Sequence, residues 1–224
     1  MNYFTNLFKE TYRSKTIART LFNWEIGKSV KNIKGIIIDL GGGFKPSYER
    51  FWHIKPEKFI RVDINEKVEP DVIADLNKPL SFSGNFADAI FLFSVIYILE
   101  DPGKTLREIN RILKPGGKLF ITSPFIFNEA KEPADYWRFT SGGLEKLLKE
   151  SGFKEFSIIP VGERFSAAVY LISPFLFFWP VKFVFYYLAL FFDKLIPKKL
   201  KLKQPSPIGY FVEAIKPDNA NNSN

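Results

Sequence analysis

The stretch Gly35–Lys45 reads GIIIDLGGGFK. Three consecutive β-branched residues, Ile36, Ile37 and Ile38, make the apolar run of a buried strand, and Asp39 followed by Gly41, Gly42 and Gly43 ends it in a tight turn. Open α/β sheets build nucleotide sites this way, at the carboxyl end of the first strand, where turn N–H groups and a helix start face the ligand. Glycine clusters also serve strand-to-helix turns for steric reasons alone, so the remainder of the chain has to decide.

The 224 residues suit one sizeable α/β domain, expected over 1–217, with a disordered tail at 218–224. Absence of cysteine excludes disulfides, thiolate nucleophiles and cysteine metal sites, and is compatible with a reducing cytoplasm. The single histidine, His53, has no Asp or Ser beside it; it reads as a packed or solvated residue rather than a base, and no metal site is expected. A net charge of +8 permits nucleic acid or an anionic membrane surface as partner without choosing between them. The 25 phenylalanines are more telling, because they cluster between residues 165 and 192. At the amino terminus, Phe4, Leu7, Phe8 and Tyr12 recur at helical spacing without the features of a signal peptide, and a helix over 2–23 packed across the domain is expected, with a membrane-surface helix as the alternative.

Past the glycine turn, Pro46–His53 is expected to form a helix starting near Ser47, with Phe51 and Trp52 on its buried side. FIRVDI, Phe59–Ile64, is a second strand ending at Asp63, near the roughly 20-residue spacing at which a carboxylate meets ribose hydroxyls. DVIADL, Asp71–Leu76, is a short third strand ending at Asp75. Ala87–Ile98 is nearly all apolar, as a central parallel strand covered on both faces should be, and ends around Ser94. Pro102 opens a helix with Leu106, Ile109, Ile112 and Leu113 on its buried face; KPGG, Lys114–Gly117, stops it, and KLFITS, Lys118–Ser123, is the fifth strand. After the polar stretch Asn128–Arg138 come a helix over Thr140–Ser151, a sixth strand at Phe156–Val161 and a seventh at Gly209–Ile215.

These alternating units, the glycine turn, the acids after strands two and three, and above all FADAIFLFSVIYILEDPGKTLREINRILKPGGKLFITSP, Phe86–Pro124, resemble the class I S-adenosylmethionine-dependent methyltransferases (type 11-like) over roughly Gly35 to Lys216. The resemblance implies an α/β, Rossmann-like seven-stranded sheet with strand seven antiparallel, helices on both faces and S-adenosyl-L-methionine as cofactor. It implies that Asp39, Gly41 and Gly43 lie along the methionine part of the cofactor and that Asp63 holds the ribose hydroxyls. Asp75 with the backbone of Leu76 would read the adenine edge, and Ser94 would line the methyl-donor pocket. Two departures stand out. Lys45 replaces the third glycine of the longer pattern, and no histidine occurs at Tyr97–Leu99, which excludes a histidine base there. ADYWRFT, Ala134–Thr140, resembles a segment of relatives associated with sugar and cell-envelope biosynthesis. On that resemblance Asp135 is nominated as base, Arg138 as anchor for an anionic acceptor, and Tyr97 and Tyr136 as acceptor contacts; the alternative is that Asp135 and Arg138 cap or brace the next helix.

Between strands six and seven lies an apolar insertion, Phe165–Lys203. Strand seven must return to the sheet that strand six left, so one membrane crossing is forbidden, and two crossings need about 40 apolar residues. Pro174 and Pro180 break the segment, so a broken helical hairpin is expected that dips into one leaflet or packs on protein. Lys182, Lys194, Lys198, Lys199, Lys201 and Lys203 favour an anionic membrane surface, with a homodimer interface or an acceptor lid as alternatives. The expected activity is methyl transfer to a small or lipid-linked acceptor in cell-envelope or glycan biosynthesis, by a cytoplasmic protein held at the inner face of the membrane. Two other classes remain: an NAD(P)-dependent oxidoreductase, which would share the glycine turn and ribose acid, and a non-catalytic membrane-binding protein of the same fold. A nucleic acid acceptor is not expected, because the charge excess sits beside the apolar segment rather than along an open groove.

Overall fold

Strand pairing turns the isoleucine run into the middle of a sheet. In the computed structural model, which describes residues 3–130 and 133–218, β1 (Ile36–Leu40) pairs in parallel with both β2 (Lys58–Asp63) and β4 (Ala87–Phe93). β3 (Val72–Ile73) extends one edge beyond β2, and β5 (Leu113–Pro124) continues the parallel run beyond β4. β7 (Gly209–Ile215) inserts antiparallel between β5 and β6 (Glu155–Val161), giving a seven-stranded sheet of order β3-β2-β1-β4-β5-β7-β6.

Because side chains alternate along a strand, neighbouring residues feed opposite cores. Ile38, Ile90, Leu92 and Ile121 face α3 (Pro102–Ile112) and α4 (Ser141–Glu150), where Leu106, Ile109, Leu144 and Leu148 complete the layer. Ile37, Phe91, Phe120 and Phe211 face the other side, covered by α1 (Tyr3–Tyr12), α2 (Ile17–Ser29), α5 (Arg164–Ile172) and α6 (Trp179–Leu195). α7 (Lys198–Lys203) follows α6 and leads to β7. Asp101 caps α3 through Lys104 N (2.9 Å), and Pro102 occupies its first turn, where the missing N–H has no cost.

Several expectations need correction. The helix expected over 2–23 is two helices, since Ser14 adopts φ +58 and Thr16 restarts the chain as the cap of α2; residue 2 lies outside the described residues. Pro46–His53 holds only one 3-10 turn, Ser47–Arg50. Lys45 at φ +45 and the pairing of His53 with Lys31 leave too few residues to repay helix nucleation. An aromatic plug fills the space instead: Tyr48 and Trp52 meet Phe93, Phe91 and Phe59 with ring centroids 4.9–5.4 Å apart. KPGG lies within β5 rather than before it, as a bulged start held by Gly116 N to Lys216 O (3.0 Å). Of the tail, residues 219–224 lie outside the described residues, as do 131 and 132 of the polar stretch.

The insertion forms a broken hairpin. α5 and α6 flank a 3-10 turn at Ser173–Phe175, and Asp193 from α6 is buried where its oxygens accept from Phe165 N (2.9 Å) and Ser166 N (3.2 Å) at the start of α5. Tyr186 and Ala189 face inward, while Phe4, Phe8 and Tyr12 of α1 meet Trp179, Phe183 and Tyr187 edge-on. Among the described residues no helix is long and apolar enough to cross a membrane.

Candidate functional site

The turn after β1 is set by backbone conformation as much as by space. Gly41 N donates to Val62 O (2.7 Å) with φ +73, and a Cβ on Gly41 would lie 2.6 Å from Val95 Cγ2. At Gly42 a Cβ would fall 2.2 Å from Asp39 Oδ2. Gly43, at φ +64, has no protein atom within 4 Å of that position. The three glycines therefore serve different ends: two let the turn close onto Val95 and Asp39, and the third opens onto free space.

Asp39 is fully buried. Burial pushes its carboxyl up to about 7, opposed by the hydrogen bond that Tyr48 Oη donates to Oδ2 (2.7 Å); Oδ1 has no partner. Sequence reasoning missed Tyr48, which lies in the segment expected to be helical and carries no motif.

Asp63, at the end of β2, closes the turn from the other side. Its Oδ2 accepts from Gly43 N (3.1 Å) and its Oδ1 from Asn65 N (2.9 Å), so each oxygen keeps a lone pair for a hydroxyl. Asp75 Oδ1 accepts from Asn77 N (3.0 Å), which holds its carboxyl below the ordinary range, while Leu76 O accepts from Thr105 Oγ1 (3.0 Å). Gly41, Asp63, Asp75, Leu76, Ser94 and Leu99 border one cavity of about 580 Å³. That is within the roughly 300–1,000 Å³ of ligand sites.

Ser94 joins this space to two others. It sits at φ +59, a strained conformation for a residue with a side chain, with Oγ 3.2 Å from Thr122 Oγ1. It also borders a recess of about 370 Å³ beside Gly42, Lys45 and Tyr48, and a cavity of about 310 Å³ that includes Tyr97, Phe127 and Tyr170. Three spaces thus converge on one residue at the carboxyl end of β4.

ADYWRFT is tied to the segment after β4: Tyr136 N and Trp137 N both donate to Tyr97 O (2.9 and 3.1 Å), and Trp137 Nε1 donates to Leu99 O (2.8 Å). Tyr136, with Pro133 and Ala134, borders the cavity of Asp63 and Asp75, whereas Tyr97 borders the cavity that includes Phe127 and Tyr170. Arg138 grips Asp135 with two bonds, Nη1 to Oδ1 and Nη2 to Oδ2 (2.6 Å), and Ala130 N adds a third (2.8 Å). The Asp135 side chain is 3% exposed, and the Arg138 bond holds its carboxyl below the ordinary range. A carboxylate so stabilised is a poor proton acceptor, so this geometry supports the bracing role and not the base. Tyr97 stands beside the pair with its ring 5.6 Å from the Arg138 guanidinium; burial, followed by the Asp135 charge, raises its pKa and keeps the hydroxyl protonated.

Residues 39–121 match the family model described as "Methyltransferase domain". The tRNA U34 carboxymethyltransferase of Campylobacter concisus is 29% identical over 129 residues, covering 52% of this chain and 43% of that protein. A SAM-dependent methyltransferase from Archaeoglobus fulgidus superposes with TM-score 0.59 at 18% identity, covering 96% of this chain and all of the other. Haemonchus contortus phosphoethanolamine N-methyltransferase 2, in complex with S-adenosyl-L-methionine, superposes with TM-score 0.55 at 17% identity, covering 90% of this chain and 57% of that one. The chain thus spans less than half the length of the carboxymethyltransferase and little more than half of the Haemonchus enzyme. Residues 39–121 are thus similar to methyltransferase domains, and the sheet order with antiparallel β7 is the fold of the class I S-adenosylmethionine-dependent methyltransferases. S-adenosyl-L-methionine is the cofactor of that family, and it is the ligand in the Haemonchus structure.

The residues present fit that cofactor. Asp63 offers two carboxylate oxygens to a ribose, the Asp75–Leu76 loop faces the same cavity, and Gly43 leaves unfilled the space a side chain would take.

Proposed function

We propose that the protein transfers the methyl group of S-adenosylmethionine to a small or lipid-linked acceptor at a membrane surface. The observation that carries the methyl transfer is the convergence of the Asp63–Asp75 cavity and the Tyr97–Tyr170 cavity on Ser94, which allows a donor and an acceptor to meet at one point. The cofactor supplies a methyl already activated on a sulfonium. The chain's share is then alignment: Asp63 and the Asp75–Leu76 loop orient the donor, and Ser94 and Tyr97 border the place where an acceptor presents its nucleophile. With no histidine after β4 and Asp135 engaged by Arg138, the acceptor's proton passes to solvent water, an amine acceptor reacting as its neutral form and losing its extra proton to water after transfer.

The exposed face of the insertion supports the membrane. Phe175, Phe177 and Phe178 are 75%, 89% and 64% exposed, and they stand on the same hairpin as exposed Leu188 and Phe191. An apolar surface of this extent is unusual on a protein facing only water. Lys194, Lys198, Lys199, Lys201 and Lys203 follow it and outnumber the one acid beside them, Asp193, whose oxygens accept from Phe165 N and Ser166 N at the start of α5. Association with the inner face of a cytoplasmic membrane, in envelope or glycan biosynthesis, follows from this reading; a homodimer over the same face is the competing use.

The test is transfer of tritium from methyl-labelled S-adenosylmethionine into separate lipid, small-molecule and RNA fractions. Label in the lipid fraction is expected. Label confined to RNA, the acceptor class in the name of the Campylobacter relative, overturns the acceptor reading, and no label in any fraction overturns the activity.

A further inference from the structure

The cavity between α2 and α5 is bordered by two cations, Lys15 and Arg19, neither of which has an ion pair among the described residues. It is bordered by Lys15 and Arg19 on one side and by Phe22, Tyr97, Phe127 and Tyr170 on the others. Phe127 stacks on Tyr170 with centroids 4.7 Å apart, so one wall is aromatic and rigid. Arg19, Tyr97 and Tyr170 border the same space, and the positive charge of Arg19 is among the smaller influences that oppose the rise burial imposes on the two hydroxyls. Glu10, the acid that feels Lys15, is already paired with Arg13 and Arg50. Arg138, the other guanidinium near Tyr97, is committed to Asp135. Lys15 and Arg19 therefore supply positive charge to a partly apolar cavity that holds no carboxylate of its own among the described residues.

Resting on the methyl-transfer reading, we propose that Lys15 and Arg19 form the anion subsite of the methyl acceptor, which is an amphiphile carrying a phosphate or carboxylate next to an apolar portion. Arg19 matches such an anion with a planar fork of donors and Lys15 with a point charge. The aromatic wall takes the apolar portion, and the nucleophile faces Ser94, where the donor cavity opens. Two lining segments adjoin the apolar insertion in the chain: Tyr12, just before Ser14 and Lys15, packs on Trp179 with centroids 5.6 Å apart, and Leu171 and Ile172 are exposed immediately after the inward-facing Tyr170.

Arg19 and Lys15 also border the recess beside Lys45 and Tyr48, so the competing source of the anion is the donor's own carboxylate. Two sets of titrations separate the sources. Phenyl phosphate and inorganic phosphate are titrated into the full-length protein with and without saturating S-adenosylhomocysteine, for wild type, Arg19→Gln, Lys15→Gln and Arg19→Lys. S-adenosylhomocysteine and 5′-methylthioadenosine, which lacks the carboxylate, are titrated into the same four proteins. Phenyl phosphate is expected to bind more tightly than inorganic phosphate in the presence of S-adenosylhomocysteine. It should lose at least tenfold in affinity in both Gln variants and recover in part in Arg19→Lys, while S-adenosylhomocysteine affinity changes less than threefold. No phenyl phosphate binding to the wild type, or equal binding to the Gln variants, overturns the proposal. A tenfold loss of S-adenosylhomocysteine with 5′-methylthioadenosine unaffected also overturns it, by giving the cations to the donor carboxylate. Failure of S-adenosylhomocysteine to bind the wild type strikes the donor site instead, and phenyl phosphate titrated alone still decides whether the cations form an anion site.

Discussion

Tyr48 Oη donates a hydrogen bond of 2.7 Å to Asp39 Oδ2, while Oδ1 of the same carboxyl, enclosed at the end of β1, has no partner among the described residues. Burial raises the Asp39 pKa to about 7, so the folded protein binds a proton that the unfolded chain releases near 3.8. Between those values the folded state holds more protons, and stability falls as pH rises through the window. Thermal or urea unfolding should show wild type losing stability relative to Asp39→Asn from about pH 4 to about pH 7, by at most on the order of 4 kcal/mol. Tyr48→Phe should cost about 1–3 kcal/mol at pH 8, where the carboxylate needs its donor, and less at pH 5. Parallel pH profiles for wild type and Asp39→Asn would contradict this assignment.

The glycines of the turn should separate by phenotype. Gly41→Ala places Cβ 2.6 Å from Val95 at φ +73 and should destabilise the fold by about 1–3 kcal/mol. Gly43→Ala meets no protein atom within 4 Å, so its cost to the fold should stay near 1 kcal/mol. If the open space belongs to the cofactor, Gly43→Ala loses S-adenosylhomocysteine affinity out of proportion to its melting temperature. Equal affinity in Gly43→Ala and wild type would remove Gly43 from the site.

The sheet was legible because its strands carry period and composition. Ile36–Ile38 and the apolar run from Ala87 are β-branched or aromatic and flanked by turn residues, and the boundaries of β7 coincide with the expected Gly209–Ile215. The acids were legible by spacing along the chain. Tyr48, Lys15 and Arg19 were not, since what gathers them is the packing of α2 against the turn after β1, a long-range event with no local signature. The helix expected over Pro46–His53 failed for a related reason: tertiary pairing of His53 with Lys31 and aromatic contacts of Trp52 outweighed a weak local preference.

The Asp135–Arg138 pair should behave as a brace. Arg138→Ala strands a carboxylate that is 3% exposed and should cost about 1–3 kcal/mol, more than the double variant with Asp135→Ala. The folded-state pKa of Asp135 is depressed, so the pair's stabilisation is present above the ordinary carboxylate range and is lost as pH falls through the lowered value. A double-mutant cycle in urea at neutral pH measures it. Additive losses would show that the two side chains do not act together.

For the apolar face, Asp193, Tyr186 and Ser166 are buried, so deleting the hairpin would open the core. Replacing Phe175, Phe177 and Phe178 with serine removes exposed aromatic area while leaving α5 and α6 seated. Wild type should float with vesicles containing phosphatidylglycerol, and the triple variant should remain in the dense fraction at an unchanged melting temperature. Flotation of both proteins alike would remove these phenylalanines from membrane contact, and flotation of neither would move the face to dimerisation, which sedimentation of the same pair would reveal.

Isothermal titration of S-adenosylhomocysteine into wild type and Asp63→Ala tests the central assignment most directly. Asp63 accepts from Gly43 N at 3.1 Å and keeps lone pairs for two ribose hydroxyls, so the wild type should bind and the variant should lose about tenfold to a hundredfold in affinity. No binding to the wild type, or equal affinity in Asp63→Ala, would contradict a donor site built on the glycine turn and this carboxylate.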